Sequence, residues 1–227
     1  MDRISASTVD PAGLSASALA PDRARTAVDF VCRAFDLVAT VLLLVVLAPL
    51  FALIALIIKI DTPGPVFFRQ QRVGRDQEPF LVAKFRTMRH GAGHDVHRDH
   101  MLALIASGMP APKLPKDMRV TRFGSFLRRT SLDELPQLWN VLRGDMSLVG
   151  PRPPIPYEVE HYPSHWFSRF AVKPGLTGLW QVSGRSEVSL EQMIELDNEY
   201  VRRRTLLLNV WILLRTVPAV LSRRGAG

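Results

Sequence analysis

The sequence is poor in the residues and patterns that mark familiar catalytic sites. Its 227 residues include one cysteine, Cys32, which excludes an intramolecular disulfide and a cysteine-based metal site. We find no glycine-rich phosphate loop of the Walker type, no nucleophile elbow and no two-histidine zinc helix. There is also no Asp-x-Asp pair, which argues against a metal-dependent glycosyltransferase that holds its nucleotide through such a pair.

Acidic residues are outnumbered by basic ones. Lys and Arg total 29 against 21 Asp and Glu, a formal net charge of +8 at pH 7. Such a balance favours anionic partners, namely phospholipid headgroups, phosphorylated substrates or nucleic acid. Because no aromatic residues interleave with the basic ones and no reading helix is recognisable, we expect no nucleic-acid partner.

One long apolar run, Leu37 to Ile58, contains 22 residues and no charge. As a straight helix it would measure about 33 Å, enough to cross a bilayer. Pro49 near its centre costs about 3 kcal/mol in a helix interior and favours a bend. Since basic residues flank both ends, we expect a re-entrant helix-break-helix with both ends in the cytoplasm. A conventional single-pass anchor remains the alternative, because membrane helices tolerate proline when neighbours satisfy the freed carbonyl.

The remaining patterns predict an α+β fold that is mostly helical and membrane-embedded. Residues 1–27 form a loose tail, residues 28–60 the re-entrant helix, and residues 61–227 a cytoplasmic catalytic domain. Short strands are expected on both sides of the polar loop Gly74 to Pro79, as a hairpin. The apolar run Leu206 to Leu214 is too short to span and predicts an amphipathic helix in the cytoplasmic interface, with a soluble core helix as the alternative.

An acidic pair, Asp133 and Glu134, is the strongest candidate for chemistry. It opens a helical leucine pattern, and the sequence also permits a purely structural role, either as a capping box of Ser131 with Glu134 or with Asp133 as the cap. Cations surround the pair in sequence. Arginine forks match phosphate oxygens, so a pyrophosphate substrate would suit this cluster, whose candidate members are Lys84, Arg86, Arg128 and Arg152.

Five ordered motifs resemble the bacterial sugar transferases, also called monotopic phosphoglycosyl transferases. They are TPGPVFFRQ at 62–70, KFRTM at 84–88, SLDELPQ at 131–137, LVGPRP at 148–153 and KPGLTG at 173–178. The resemblance covers the chain from about Arg33 to its end. It implies the same re-entrant helix, although Ala48 stands where the family often has Ser before the proline.

The resemblance also implies a mechanism. Asp133 would attack the phosphate next to the sugar and form a covalent phosphosugar-aspartyl intermediate, which the lipid phosphate then intercepts. Glu134 would be a magnesium ligand or a base, and both carboxylates are candidate ligands of Mg²⁺. Lys84, Arg128 and Arg152 match positions that hold phosphate or nucleotide, and Arg86 is a further candidate.

The resemblance implies a phosphoglycosyl transferase at the cytoplasmic face of the bacterial inner membrane. Its partners would be a UDP-sugar donor, such as one that carries glucose or galactose, polyprenyl (undecaprenyl) phosphate as the acceptor, and an anionic phospholipid membrane. A homodimer is an open alternative to a monomer. Such an enzyme would initiate exopolysaccharide or glycoconjugate synthesis. The alternative is a non-catalytic basic protein bound to the membrane surface, in which the acidic pair only caps a helix.

Overall fold

The computed structural model describes residues 23–89, 118–184 and 188–221. Residues 1–22 of the expected tail lie outside the described residues, whereas a helix already begins at Arg23, before the expected start at residue 28. The helices and strands in chain order are α1 (Arg23–Asp61), β1 (Phe67–Val73), β2 (Pro79–Phe85), α2 (Arg122–Thr130), α3 (Gln137–Arg143), β3 (Ser147–Val149), α4 (Pro156–Val159), β4 (Gly175–Thr177), α5 (Leu179–Ser183), α6 (Leu190–Arg203) and α7 (Leu206–Leu221).

Helix α1 contains the predicted membrane segment. It is helical over 39 residues, with Pro49 inside it. By length and composition it could cross a membrane, and only 11% of its most apolar window is buried inside the protein, so it is not an ordinary core helix. Large apolar side chains such as Val38, Val45 and Val46 are exposed along it. The structure therefore presents an apolar surface suited to lipid, while the re-entrant path stays a prediction.

The expected hairpin is confirmed. β1 and β2 pair antiparallel, with Phe68 opposite Lys84 and Arg72 opposite Phe80. Their connection turns through Asp76 and Gln77, both with positive φ. Because successive side chains of a strand alternate between its faces, Phe68 and Arg72 share one face with Lys84. A second, parallel pair joins β3 to β4, and the remainder of the described chain is mostly helical, which confirms the α+β class.

Two parts of the core determine where the site lies. The first places Val82 of β2 in one apolar cluster with Leu138 and Val141 of α3. The second joins Ile54 and Ile58 of α1 to residues of β2 and α2, namely Phe85 and Leu127. The membrane helix, the hairpin and the two short helices around the acidic pair therefore form one packed unit.

Gly124 allows α2 to approach the chain that leaves β2. The hydroxyl of Thr121 caps the helix by accepting a hydrogen bond from the Gly124 N–H at 2.8 Å, and the Thr121 N–H donates to the Thr87 carbonyl at 3.0 Å. A Cβ atom at position 124 would lie 2.0 Å from the Thr87 carbonyl oxygen. Only glycine therefore permits this contact, which holds the start of α2 against the hairpin.

Gly124→Ala should destabilise the protein. In an ordinary helix this change would stabilise by about 1 kcal/mol, but here the methyl group overlaps backbone, and overpacking of this kind costs about 1–3 kcal/mol. Thermal unfolding in detergent should show a lower midpoint for Gly124→Ala. Arg129→Ala, at an exposed position of the same helix, is the control and should change the midpoint little. An unchanged or higher midpoint for Gly124→Ala would contradict the contact.

Candidate active site

The acidic pair lies on a 3-10 turn, Leu132–Glu134, between α2 and α3. Ser131 before it is left-handed, with φ 56°, and its side chain makes no capping hydrogen bond. Helix α3 starts only at Gln137. Pro136 occupies its N-cap position, where no side-chain hydrogen bond caps the helix. The helix that the leucine pattern predicts therefore begins after the pair, and neither of the two alternative capping roles is observed. The left-handed Ser131 ends α2 and redirects the chain, which leaves neither carboxylate with a helix-capping function.

Glu134 forms an ion pair with Lys84, whose Nζ lies 2.7 Å from Glu134 Oε1. Both side chains keep some solvent access, at 25% and 33% exposure. Burial alone would raise the pKa of Glu134, but the charges of Lys84 and Arg152 outweigh it and hold this pKa below its usual value. Glu134 is therefore ionised throughout the neutral range, and its charge is already partly neutralised by the protein.

Asp133 differs from its neighbour. Burial raises the pKa of Asp133, and the charge of Glu134 raises it further, while Lys84 and Arg128 oppose this effect. The two adjacent carboxyls therefore have pKa values displaced in opposite directions. Such a difference between neighbouring acids is typical of sites where the two take different chemical roles.

Three of the four predicted cations lie at the pair. Lys84 contacts it directly, Arg128 influences Asp133, and Arg152 influences Glu134. Arg128 is oriented by a hydrogen bond from its Nε to Thr87 Oγ1, at 2.9 Å, and Arg152 by an ion pair of 3.1 Å between its Nη1 and Glu158 Oε2. Lys84 in β2, Arg152 after β3 and Arg128 near the end of α2 therefore direct positive charge towards the same turn.

Arg86 is not brought to the pair. Its side chain is buried, and it donates to the Pro63 carbonyl at 2.9 Å and to the Thr62 carbonyl at 2.7 Å. These carbonyls follow the last turn of α1, where helix carbonyls lack intrahelical donors. Arg86 therefore anchors the exit from the membrane helix, and the structure gives no support to its expected contact with substrate.

Arg72 was missed as a site residue. It is buried, donates to the Pro153 carbonyl at 3.0 Å and to Gln70 Oε1 at 2.8 Å, and its charge lowers the pKa of Glu134. The sequence contained a signal for it. Gln70 and Arg72 are alternate residues of β1, so both lie on the face of the hairpin that also carries Lys84.

A buried ionic network contacts the backbone of Arg152. Arg169 is only 1% exposed, and its Nη2 lies 2.6 Å from Asp197 Oδ2. The same nitrogen also donates to the Arg152 carbonyl at 2.7 Å. Tyr162 donates to Glu158 Oε2 at 3.4 Å. Burial raises the pKa of Asp197 to about 6, consistent with its second carboxylate oxygen having no hydrogen-bond partner. Arg169 and Asp197 are distant in sequence, so spacing could not reveal this pair.

Comparison with known proteins identifies the family. The model described as "Bacterial sugar transferase" matches residues 27–223. This chain belongs to the bacterial sugar transferase family. The resemblance drawn from the five motifs is thereby confirmed, and with it the expectation of a transferase.

Relatives of this sugar transferase come from several bacteria. It is 41% identical over 202 residues to the exopolysaccharide production protein ExoY of Sinorhizobium fredii, covering 86% of this chain and 87% of that protein. It is 42% identical over 205 residues to a UDP-galactose-lipid carrier transferase of Erwinia amylovora, covering 87% of this chain. It is 44% identical over 199 residues to a UDP-glucose:undecaprenyl-phosphate glucose-1-phosphate transferase of Xanthomonas campestris, covering 84% of this chain. The match spans only 42% and 39% of the length of the last two relatives.

The donor set of the transferase is compatible with Mg²⁺ but does not form a complete protein cage. Within the three described segments, no group of three or more His, Cys, Asp or Glu side chains comes together. Asp133 and Glu134 supply two adjacent carboxylates. Mg²⁺ is commonly held by one or two carboxylates while water and substrate phosphates complete its octahedron, so the residues present fit this ion.

Removing one partner of the buried Arg169–Asp197 pair should cost far more than removing both. Arg169→Met leaves Asp197 as a buried charge without its ion-pair partner, and such changes cost about 3–5 kcal/mol. Arg169→Met combined with Asp197→Leu should recover most of that loss, because the uncompensated charge is gone. Thermal unfolding measures both effects.

The matched control is the exposed pair of Arg203 and Glu199, whose side chains are 69% and 35% exposed. Arg203→Met should change stability by less than about 1 kcal/mol. Equal losses for the single and double variants of the buried pair would show that packing, rather than charge, holds this region.

Proposed function

We propose that this transferase moves a sugar-1-phosphate from a UDP-sugar to polyprenyl (undecaprenyl) phosphate and so initiates exopolysaccharide or glycoconjugate synthesis. The observation that carries the proposal is the acidic pair itself, with opposed pKa displacements and four cations acting on it: Lys84, Arg128, Arg152 and Arg72. The names of the Erwinia and Xanthomonas relatives, which specify a lipid carrier or undecaprenyl phosphate as acceptor, support the choice of substrates.

Asp133 is the proposed nucleophile. One of its carboxylate oxygens bonds to the phosphorus next to the sugar, and the bond from that phosphorus to the bridging oxygen breaks, so that uridine monophosphate leaves with the electron pair. An oxygen of the lipid phosphate then attacks the same phosphorus and releases the Asp133 carboxylate. The raised pKa of Asp133 favours this role, because a more basic carboxylate is a better nucleophile, while Lys84 and Arg128 favour its ionised form.

The remaining groups would handle negative charge. Lys84 and Arg152 would attract the pyrophosphate oxygens and the charge that develops on the leaving phosphate, and the buried charge of Arg72 would add to the positive field around Glu134. Bound Mg²⁺ would neutralise phosphate charge, with Asp133 and Glu134 as its protein ligands. Glu134 would then be a metal ligand or a base for the acceptor phosphate.

The membrane placement rests on contacts at both ends of α1. Near its start, Arg33 donates to the Val141 and Leu142 carbonyls at 2.6 and 3.0 Å. Near its end, Ile54 and Ile58 pack against Phe85 and Leu127. Because both ends bind the same domain, we place them on the same, cytoplasmic face of the inner membrane, with α1 entering one leaflet and bending at Pro49.

Helix α7 fits an interfacial position. Its exposed apolar side chains recur on one helical face, at Leu207, Trp211, Leu214 and Val217. The guanidinium of Arg215 lies 5.4 Å from the centre of the Trp211 ring. Outward apolar residues combined with arginine suit a helix that lies among anionic lipid headgroups.

The covalent step predicts a mass change. Purified protein incubated with Mg²⁺ and a panel of UDP-sugars, without acceptor lipid, should gain the mass of one phosphosugar. Intact-protein mass spectrometry should show this adduct on the native chain and on Asp76→Asn, a control that alters an exposed turn carboxylate. Asp133→Asn should show none and should lose turnover.

Other outcomes separate the competing mechanisms. If the native chain turns over without forming an adduct, and turnover persists in Asp133→Asn, Asp133 is not the nucleophile. No turnover with any UDP-sugar, together with an Asp133→Asn variant altered only in stability, would support the non-catalytic membrane-binding alternative.

The re-entrant path predicts one-sided labelling. In a Cys32→Ala background, Ala27→Cys and Asp61→Cys should both react with an impermeant maleimide in inside-out vesicles and neither in spheroplasts, since both ends of α1 would be cytoplasmic. Val45→Cys, at an exposed position near the middle of the helix, should react in neither because lipid covers it. Labelling of one end from each side would establish a single-pass helix.

A further inference from the structure

Asn140 of α3 binds the edge of β2 that does not pair with β1. Its Oδ1 accepts a hydrogen bond from the Ala83 N–H at 3.1 Å, and its Nδ2 donates to the Leu81 carbonyl at 2.7 Å. The side-chain amide therefore takes the place that a backbone amide of a third strand would occupy. Asn140 is only 2% exposed, so these bonds form where water does not compete.

The orientation of this amide is fixed by further contacts. Nδ2 also donates to Asp145 Oδ2 at 3.1 Å, so both directions in which the amide can donate are used. The carbonyl of Asn140 accepts from the Gly144 and Asp145 N–H groups at 3.1 and 3.0 Å, where α3 ends. A buried amide with all these partners has one favourable position, and rotation would leave unpaired polar groups.

Asn140 joins the strand that carries Lys84 to the helix that begins three residues after Glu134. Its partner Ala83 directly precedes Lys84 in β2. Apolar packing also joins the strand and the helix, since Val82 and Leu138 belong to one buried cluster, but it constrains the distance between two polar atoms less sharply than directed hydrogen bonds do. Adjacent residues of a strand are about 3.3 Å apart, so a slip by one residue would break the 2.7 Å contact between Lys84 and Glu134.

We propose that Asn140 is a positioning residue of the transferase, which fixes β2 against α3 so that Lys84 meets the acidic pair. The proposal rests on the function assigned above. It concerns a side chain that touches neither carboxylate, and it makes the amide, rather than the apolar contacts, responsible for the placement of Lys84.

The test is a double-mutant cycle on turnover. Asn140→Ala should lower kcat by about tenfold or more, as small misplacements of catalytic groups do. In a Lys84→Met background the same change should cost less than about twofold, because the group that Asn140 positions is already gone. Asn209→Ala is the matched control, since Asn209 is also a buried, hydrogen-bonded asparagine, which contacts Tyr200 and Cys32 instead. When Asn209→Ala is combined with Lys84→Met, the two losses of kcat should multiply.

The double-mutant cycle also separates positioning from a loss of stability, because an effect on stability alone would lower kcat by the same factor with and without Lys84.

Hydrogen exchange tests the contact without any activity. The Ala83 N–H donates to Asn140 Oδ1, so its exchange should accelerate in Asn140→Ala and not in Asn209→Ala. Fully multiplicative costs of Asn140→Ala and Lys84→Met would overturn the positioning role while leaving the proposed function intact. A native chain with no turnover on any UDP-sugar would overturn both.

Discussion

The ion pair between Lys84 and Glu134 joins the β-hairpin to the turn that carries both carboxylates. Without a cation at this place, two adjacent acids would share a half-buried turn, and repulsion would favour a proton on one of them. Lys84 relieves that repulsion mainly through direct contact with Glu134. Burial keeps the pKa of Asp133 raised, although the charge of Lys84 opposes this effect. The contact with Lys84, together with the charges of Arg152 and Arg72 on Glu134, therefore makes two neighbouring carboxylates chemically different.

The cations near the pair also need support, because buried arginines are costly without partners. Arg72 is held by the Pro153 carbonyl and by Gln70, and Arg152 by Glu158. Behind them, Arg169 binds both Asp197 and the Arg152 carbonyl. These contacts fix positive charge in rigid positions before a phosphorylated substrate arrives, so little reorganisation is needed when it binds.

The sequence located the acidic pair and most of its cations, because residue type and order along the chain carried that information. Arg86 is the predicted cation that the structure holds away from the pair, and the reason is simple. Alternation along a strand would place Arg86 beside Lys84, but β2 ends at Phe85, and the free carbonyls after α1 bind the guanidinium instead. The capping expectations were wrong because Ser131 is left-handed, a conformation that residue spacing does not encode.

Other features depend on contacts between distant segments. Arg169 and Asp197 meet only once α6 packs on the 3-10 helix Ser164–Ala171. Asn140 meets β2 only once α3 folds against the hairpin. Local periodicity describes which face of a helix is apolar, but it does not specify which edge of a strand a buried amide will meet. Asn140 falls among apolar positions of α3 that are buried against β2.

The second half of α1 bears directly on the site, because its core partners are sequence neighbours of the charged groups. Phe85, which packs with Ile54 and Ile58, follows Lys84, and Leu127 in the same cluster precedes Arg128. The helix that offers an apolar surface to lipid thus also supports the segments that hold both cations. An acceptor with a lipid tail and a phosphate head would need such continuity, since its tail stays in the membrane while its phosphate must reach Asp133. This shared packing supports the proposed polyprenyl phosphate acceptor.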